Sequence, residues 1–333
     1  MILFLLDANF QRLAIIDQYV SLIWTTRYKT VGDFELYVPA NTDVPYQNGM
    51  YIKKANETLT SGNIMRIDAI RLQTDNENGD YYIISGKGFE NILASRIVWF
   101  KTRITGNAES ALYNLFVACF KQAENANRNI SSFSIASLKG FTDTMTAEYN
   151  GEELLTIVEE VCEAFGYGFR FNGFQFEIYK GTDKSQSESN PVIFSPAFGN
   201  VASTDYTQDM SAHKNTCLAY SESSQNAYGR LLVTSGGSNT GFNRYETFVD
   251  CMTEEDTALM ITAANDTLVE DKKIDIFEGE IFPQYATNDY ALGDIITIGD
   301  SYGHSAKARI TEMIESDSAE GYSIIPSFEV ITE

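Results

Sequence analysis

The chain has 333 residues, more than one hydrophobic core usually organises, which predicts two or three domains or one heavily elaborated fold. Apolar residues make up 44% and charged residues 21%, a globular composition that excludes intrinsic disorder. The 24 Lys and Arg residues against 46 Asp and Glu give a net charge of −22; so acidic a surface repels phosphate, which argues against direct binding of nucleic acid or an anionic membrane.

The chain opens with an apolar run from Met1 to Leu6 that stops at Asp7. This run lacks a basic flank and is far shorter than the roughly 20 residues that a membrane span needs. We interpret it as a buried first strand and expect a chain made in the cytoplasm, with no signal peptide and no membrane anchor.

Strands dominate the prediction for residues 1–100, because β-branched and aromatic residues cluster there with a period of two. The predicted strands are 20–27, 34–38, 65–72 and 81–84. The Asn78-Gly79 pair between the last two favours a tight hairpin turn. The surrounding acidic segment superficially resembles a calcium loop, but its glycine and its expected glutamate are misplaced.

Residues 101–182 are predicted to form a helix-plus-hairpin α+β unit. Asn107 can cap a helix that runs to about Ala126, and Asn150 can cap a second helix that Gly166 ends. The Asn172-Gly173 pair then predicts a two-residue hairpin turn.

Strands return in residues 183–333, after a polar loop at 181–190 that suggests a domain boundary. A helix is predicted at about 253–270, with Thr253 as its N-cap. The remaining predicted strands are 274–282, 295–298, 306–314 and 322–330. The expected fold class is therefore α+β, predominantly β, with a helix-containing unit between two β-rich regions.

Residues that could carry chemistry are sparse. The four cysteines have neither metal-knuckle nor disulfide spacing and are interpreted as core thiols. His213 and His304 lie in polar turns, and no nucleophile elbow, zinc helix or phosphate loop is present. We therefore predict no catalytic, cofactor-binding or metal-binding residues. Carboxylates remain an alternative because a glycosidase needs only two of them, and Glu278 and Glu280 share one face of a predicted strand.

Glycine and acidic residues beside aromatic strands recur along the chain, and their order resembles a known family. The segments that carry the resemblance are 28–39, 84–98, 179–185, 192–195, 200, 214–215, 289–295, 308–310 and 321–322. The chain resembles the siphovirus Gp37-like hub proteins, which are related to the trimeric baseplate-hub and tail-tip proteins of tailed phages and phage-derived contractile particles. The signature residues are Gly32, Asp33, Phe34, Glu35, Gly86, Arg96, Gly181, Asp183, Asn215, Asp289, Tyr290, Gly293 and Asp294. The chain has Gly86-Lys87-Gly88-Phe89 where the family typically has Gly-Arg-Ser-Leu.

The resemblance implies a structural role without a cofactor. Two barrel-like tube domains, residues 1–100 and 183–333, would flank the α+β domain 101–182, and three chains would form a ring that joins a sixfold tube to a threefold tip. The implied partners are two further copies, a tail tube or distal-tail ring, a spike or tip protein and a tape-measure protein. DNA could pass through the lumen without specific binding, and the implied location is the virion tail or the baseplate of a phage-like particle.

Two other functions stay open at this point. A tail-associated cell-wall hydrolase could use a carboxylate pair. A carbohydrate-binding adhesin could use the 19 Tyr, 21 Phe and two Trp residues as sugar platforms, although most such rings belong to hydrophobic cores.

Overall fold

The N-terminal region is a series of strands, as predicted. The computed structural model describes residues 1–55, 58–74, 79–185, 191–222, 231–271, 274–282 and 289–331. The strands of the first region are β1 (Leu3–Leu6), β2 (Arg12–Ile16), β3 (Ser21–Arg27), β4 (Asp33–Pro39), β5 (Tyr51–Lys54), β6 (Ile64–Gln73) and β7 (Tyr81–Gly88), with 3-10 turns at Ser61–Asn63 and Phe89–Ser95. The β6–β7 hairpin is confirmed from the pairing of Gln73 with Tyr81, and the predicted turn residues 75–78 lie outside the described residues.

Period-two burial explains why these segments are strands. In β4, Phe34, Leu36 and Val38 are buried, whereas the residues between them are partly exposed. Successive side chains of a strand point to opposite faces, so one face of β4 packs on the core and the other meets solvent.

The middle region combines helices with short strands. Its elements are β8 (Thr102–Asn107), α1 (Ala108–Phe120), β9 (Ser134–Ile135), β10 (Thr144–Tyr149), α2 (Leu154–Phe165), β11 (Gly168–Asn172) and β12 (Gln175–Tyr179), with a 3-10 turn at Ala126–Arg128. The Asn107 side chain caps α1 by accepting a hydrogen bond from the Ser110 amide. The hairpin at Asn172-Gly173 is confirmed, and Gly173 has a φ of +60°.

Both helices of this region are shorter than the sequence predicted. The first helix ends at Phe120 rather than Ala126, because the Gln122 amide turns back to the Val117 carbonyl. The second helix begins at Leu154, so the prediction that Asn150 caps it is wrong.

Tertiary pairing displaces the start of α2. The Gly151 amide bonds to the carbonyl of Val98 and the Leu154 amide to that of Arg96, which holds the segment between them extended. Gly166 ends α2 as predicted, with a φ of +64° that glycine adopts without strain.

The C-terminal region is again rich in strands. Its elements are β13 (Ile193–Phe194), β14 (Val201–Asp209), β15 (Thr216–Ser221), β16 (Leu231–Ser235), β17 (Glu246–Asp250), α3 (Thr257–Glu270), β18 (Ile274–Ile281), β19 (Ile295–Gly299), β20 (Ser305–Ser318) and β21 (Gly321–Val330), with 3-10 turns at Pro196–Phe198 and Gly241–Asn243. The N-cap of α3 is Asp256 rather than the predicted Thr253, because the Glu254 carboxylate accepts the Asp256 amide in a turn before the helix.

One sheet of thirteen described strands joins the two β-rich regions. Its order is β14-β18-β21-β20-β3-β4-β7-β6-β5-β1-β2, with β19 also on β20 and β13 on β19. The long strand β20 makes the connection, since its first half pairs with β19 and residues 312–318 pair with β3. The predominantly β, α+β fold class is confirmed, and the described strands form open sheets without a closed barrel.

Smaller sheets and separate cores complete the fold. The largest core packs α1 and α2 on the β11–β12 hairpin through a cluster of phenylalanine rings. Other cores lie among the N-terminal strands of the large sheet, among its C-terminal strands, and between α3 and the β16-β15-β17 sheet. In the described ranges, no helix has the length and apolar character to cross a bilayer.

Candidate functional site

Tyr28 lies where the three regions of the chain meet, just after β3. It is fully buried, and its amide donates to the Thr311 carbonyl of β20 at 2.8 Å. Its own carbonyl accepts the Phe169 amide of β11. Its hydroxyl lies 3.1 Å from the Gly166 carbonyl oxygen and 3.2 Å from that of Tyr179, and burial raises its pKa to about 12. The backbone and side chain of this one residue therefore connect the N-terminal, middle and C-terminal regions.

Two glycines make room for the Tyr28 ring. A Cβ atom at Gly168 or at Gly293 would overlap the ring carbons. Gly293 also has a φ of +88°, which side chains other than that of glycine rarely adopt. The Arg309 guanidinium carbon lies 5.4 Å from the ring centroid, and Arg309 donates to the Gly293 carbonyl at 2.7 Å.

Asp294 fixes the boundary between the middle and C-terminal regions. Its carboxylate is buried and accepts the amides of Thr182 at 2.8 Å and Ala291 at 2.9 Å. The Lys184 ammonium lies 2.8 Å away. A buried carboxylate is tolerated when it is hydrogen-bonded and paired in this way. A Cβ at Gly181 would overlap the Gly293 carbonyl, so the two glycines allow the two segments to touch.

The other signature residues of this region surround Asp294. Asp183 accepts the Ser185 amide and hydroxyl, and these bonds lower the pKa of its carboxyl group. The Asp289 carbonyl accepts from the Lys184 ammonium at 2.6 Å. Tyr290 is buried edge-on to Phe194, with 5.2 Å between ring centroids, and burial raises its pKa to about 12.

The N-terminal signature residues take part in contacts between neighbouring strands. A Cβ at Gly32 would overlap the Thr25 carbonyl, and one at Gly86 would overlap the Arg66 carbonyl. Asp33 forms an ion pair with Arg27, which also pairs with Glu312 of β20. The remaining two are Phe34, which is buried beside Trp24, and Glu35, which lies opposite Ile23 and Ser85 in the sheet.

Arg96 and Asn215 lie away from this junction. The Arg96 guanidinium carbon lies 5.1 Å from the Phe120 ring centroid at the end of α1. Asn215 accepts the Tyr245 amide and donates to the Asn243 carbonyl beside the β16-β15-β17 sheet. The structure thus brings Gly181, Asp183, Gly293 and Asp294 together and leaves these two apart. Tyr28 and Arg309 carry no local signal that marks them as junction residues, although both stand inside the segments that carry the resemblance.

The residues that the sequence offered for chemistry lie in different parts of the described fold. No group of three His, Cys, Asp or Glu residues there could hold a metal ion. His304 is exposed and contacts Asp300. Cys119, Cys162 and Cys217 are buried thiols, as predicted for all four cysteines, whereas Cys251 is only partly buried. Glu278 and Glu280 stand in β18, opposite Asp205 and Ser203, and their side chains lie outside the described residues.

The carboxyl group of Glu159 in α2 has a pKa above the ordinary value of a glutamate, mainly because it is buried. It accepts the Val31 amide at 3.3 Å, with Lys87 and Glu153 as its charged neighbours. Because its folded pKa exceeds the unfolded one, the charge destabilises the fold as the pH rises through the folded value. We expect Glu159→Gln to raise the melting temperature at pH 7, with the gain vanishing below about pH 4.3. A pH series of thermal melts checks this, and an equal gain from exposed Glu320→Gln would contradict it.

Comparisons with known proteins agree with this architecture. The model of the family described as Siphovirus ReqiPepy6 Gp37-like protein matches residues 2–328. No curated protein matches the sequence.

Solved phage tail proteins have a similar fold. The tail protein of Neisseria meningitidis MC58 has a TM-score of 0.62 at 11% identity over 98% of this chain and 95% of its own. A 43 kDa tail protein of prophage MuSo2 from Shewanella oneidensis has a TM-score of 0.64 at 12% identity, with 98% of each chain covered.

A secretion-system protein also has a similar fold, with a lower TM-score. This Escherichia coli protein, described as a type VI secretion component with structural similarity to the T4 bacteriophage tail proteins gp27 and gp5, has a TM-score of 0.51 at 10% identity. The alignment covers 95% of this chain and 74% of that one. By its family match over nearly the whole length, the chain belongs to the Siphovirus ReqiPepy6 Gp37-like protein family, and its fold is similar to that of solved phage tail proteins.

Proposed function

We propose that this chain forms the hub of a phage tail or phage-like injection particle as a ring of three copies and turns over no substrate. The family match over residues 2–328 carries the proposal. The fold supports it, because the thirteen-stranded sheet joins the two β-rich regions and the buried Tyr28 junction connects them to the middle region. A chain connected in this way suits a part that works by shape and by contacts with its neighbours.

A ring of three chains would present six β-rich halves, two from each chain. One half is the N-terminal run β3-β4-β7-β6-β5-β1-β2, and the other is built on β14, β18 to β21 and β13. Six comparable halves could meet a sixfold tail tube or distal-tail ring on one side, and the threefold symmetry could seat a spike or tip protein on the other. One end of a tape-measure protein would lie inside the ring. The ring itself would be located in the virion tail or the particle baseplate. The domain division 1–100, 101–182 and 183–333 remains part of this proposal.

The absence of turnover is supported by the scattered chemistry of the described residues. The raised-pKa carboxyl of Glu159 bonds to a backbone amide rather than facing a second carboxylate across a cleft. A retaining or inverting glycosidase needs two carboxyl groups about 5 to 10 Å apart around its substrate. Zymography on peptidoglycan should therefore show no cleared band.

Mass in solution tests the proposed ring. Light scattering should give about three times the chain mass of 37.2 kDa, and negative-stain images should show rings with a central hole. A compact monomer at the highest soluble concentration would contradict self-assembly by the chain alone. Cell binding by that monomer would favour the adhesin instead.

A further inference from the structure

A pocket of about 610 Å³ lies in the middle region, between β8, α1 and the segment 98–100. Residues three or four positions apart share one face of a helix. The residues that α1 and the turn after it contribute follow this spacing; they are Ala111, Asn114, Leu115, Ala118, Cys119 and Gln122. Pockets that hold small ligands usually measure roughly 300–1,000 Å³, so this pocket is large enough for a ligand of that class.

Two aromatic side chains of the pocket lining are exposed. Trp99 is 45% exposed and Phe100 is 58% exposed, and their ring centroids lie 6.5 Å apart in an edge-on arrangement. The backbone beside them is fixed, because the Val98 amide donates to the Glu152 carbonyl and the Val98 carbonyl accepts the Gly151 amide. The two rings therefore form an apolar platform that is already in place before a ligand binds.

Arg128 holds the Trp99 ring in position. Its guanidinium carbon lies 4.4 Å from the Trp99 ring centroid, and its Nη2 atom donates to the Ile97 carbonyl at 2.6 Å. A guanidinium stacked in this way covers one face of the indole. The exposed surface of Trp99 therefore belongs mainly to its other face and to the ring edges.

Three polar side chains of the lining are open to a ligand. Asn114, Gln122 and Glu124 are exposed, and within the described part of the chain their side chains form no hydrogen bond or ion pair. The two carboxamides each offer donors and an acceptor, and the carboxylate offers acceptors. Hydroxyl groups both donate and accept, so these side chains match a ligand that carries several hydroxyls.

The charge of the pocket favours a neutral ligand. Its charged lining residues are Arg103, Arg128 and Glu124, and Arg103 is paired with Asp256 at the start of α3. One arginine and one glutamate remain, so the pocket has no excess charge that would select an anion or a cation. The net charge of −22 on the whole chain also repels anionic ligands.

We propose that this pocket binds a short neutral oligosaccharide, with one sugar ring stacked on Trp99 and its hydroxyl groups hydrogen-bonded by Asn114 and Gln122. A sugar ring has a face of C–H groups and a rim of hydroxyl groups, and an exposed indole beside carboxamides complements both. The buried side chains of Leu115 and Cys119 give the pocket an apolar floor for a substituent such as an acetyl group. Sugar binding would be a function additional to the proposed structural one, and it needs one chain only.

Quenching of tryptophan fluorescence tests the site on the full chain. The chain has two tryptophans, and Trp24 is fully buried, so acrylamide quenches mainly Trp99. The probes are maltotriose, triacetylchitotriose and the anionic trisaccharide trigalacturonic acid. At least one of the two neutral sugars should protect Trp99 saturably, and the anionic sugar should bind at least roughly tenfold more weakly than that one. Comparison of the two neutral sugars shows whether an acetamido group is part of the ligand.

Variants of the aromatic platform supply a second arm, followed by ligand-observed NMR. Trp99→Ala should abolish binding of the neutral sugar, because the ring that stacks on it is lost. The matched variant Phe248→Ala removes an exposed ring elsewhere and should leave binding unchanged.

Variants of the carboxamides test the polar contacts separately. Asn114→Ala with Gln122→Ala should weaken binding at least roughly tenfold, because the sugar loses two hydrogen-bonding groups. The matched pair Asn41→Ala with Gln47→Ala removes exposed amide side chains elsewhere and should leave binding unchanged. If Trp99→Ala fails to fold, the carboxamide variants still decide, since both of their side chains are exposed.

Three results would overturn the proposal. They are no protection of Trp99 by either neutral sugar at millimolar concentration, binding of the anionic sugar as tight as that of the neutral ones, and parent-like binding by the Asn114 and Gln122 variant. Protection of Trp99 that grows with protein concentration, in the absence of sugar, would make a second copy the occupant and would also overturn it. A monomer that binds the sugar would leave this inference standing while the proposed ring fails.

Discussion

Replacing Tyr28 by alanine is expected to lower the free energy of unfolding by about 3–5 kcal/mol, the usual cost of truncating a large buried aromatic ring. Tyr28 is fully buried and contacts all three regions of the chain. Its loss would leave a cavity lined by the backbones of Gly168 and Gly293, which are held in place by other contacts and cannot collapse fully. Urea unfolding followed by circular dichroism measures the change.

Two control variants test the effects of burial and of the hydroxyl group. Tyr302→Ala should stay within about 0.5 kcal/mol of the parent, because Tyr302 is 90% exposed. Tyr28→Phe keeps the ring and should cost only about 1 kcal/mol for the lost hydrogen bond. A Tyr28→Ala variant no less stable than Tyr302→Ala would contradict the junction.

Gly293→Ala tests the contact from its other side. In the parent chain the added methyl group overlaps the Tyr28 ring and also meets the strain of a φ of +88°. In the Tyr28→Ala background the overlap is gone and only the backbone strain, about 1–2 kcal/mol, remains. The cost of Gly293→Ala should therefore be smaller in the second background, and equal costs would show that the two residues do not interact.

Local signals made part of the fold predictable from the sequence. The alternation in β4, the end of α2 at Gly166 and the hairpin at Asn172-Gly173 each depend on neighbouring residues, and the structure has all three. The start of α2 depends instead on pairing with residues 96–98, some 50 positions away, which no local cap could reveal. The pairing of β20 with β3 is more distant still and joins regions that the sequence separates.

The candidate site was predictable only in part. Gly293 and Asp294 stand in a recognisable turn, so the sequence predicts a backbone bend there. Their second role depends on chain segments far away: Gly293 receives the ring of Tyr28, and Asp294 accepts the Thr182 amide. A glycine required for close approach has the same letter as one required for a turn, and only the fold distinguishes them.

A buried ion pair between Lys54 and Glu315 gives the second large prediction. Lys54 ends β5 and Glu315 lies in β20, so the pair crosses from the N-terminal strands to the C-terminal ones. Their side chains are only 7% and 14% exposed. The Lys54 ammonium also lies 5.3 Å from the Trp24 ring centroid, and the Tyr322 hydroxyl donates to Glu315 at 2.9 Å.

Lys54→Met should lower the free energy of unfolding by about 3–5 kcal/mol, because Glu315 would keep a buried charge without its cation. The exposed pair of Arg244 and Glu246 is the matched control, and Arg244→Met should cost no more than about 1 kcal/mol. Thermal and urea unfolding of both variants check the difference. Similar small losses in the two would show that the Lys54 pair is solvated rather than buried.

The double variant Lys54→Met with Glu315→Gln then decides what the pair contributes. Replacing both charges removes the desolvation cost together with the attraction, so much of the lost stability should return. If stability returns but the mass in solution falls below that of the parent, the pair serves to orient β20 and β21 against the N-terminal strands for assembly. If the double variant stays as unstable as Lys54→Met alone, the lysine stabilises the chain mainly through its ammonium over the Trp24 ring rather than through Glu315.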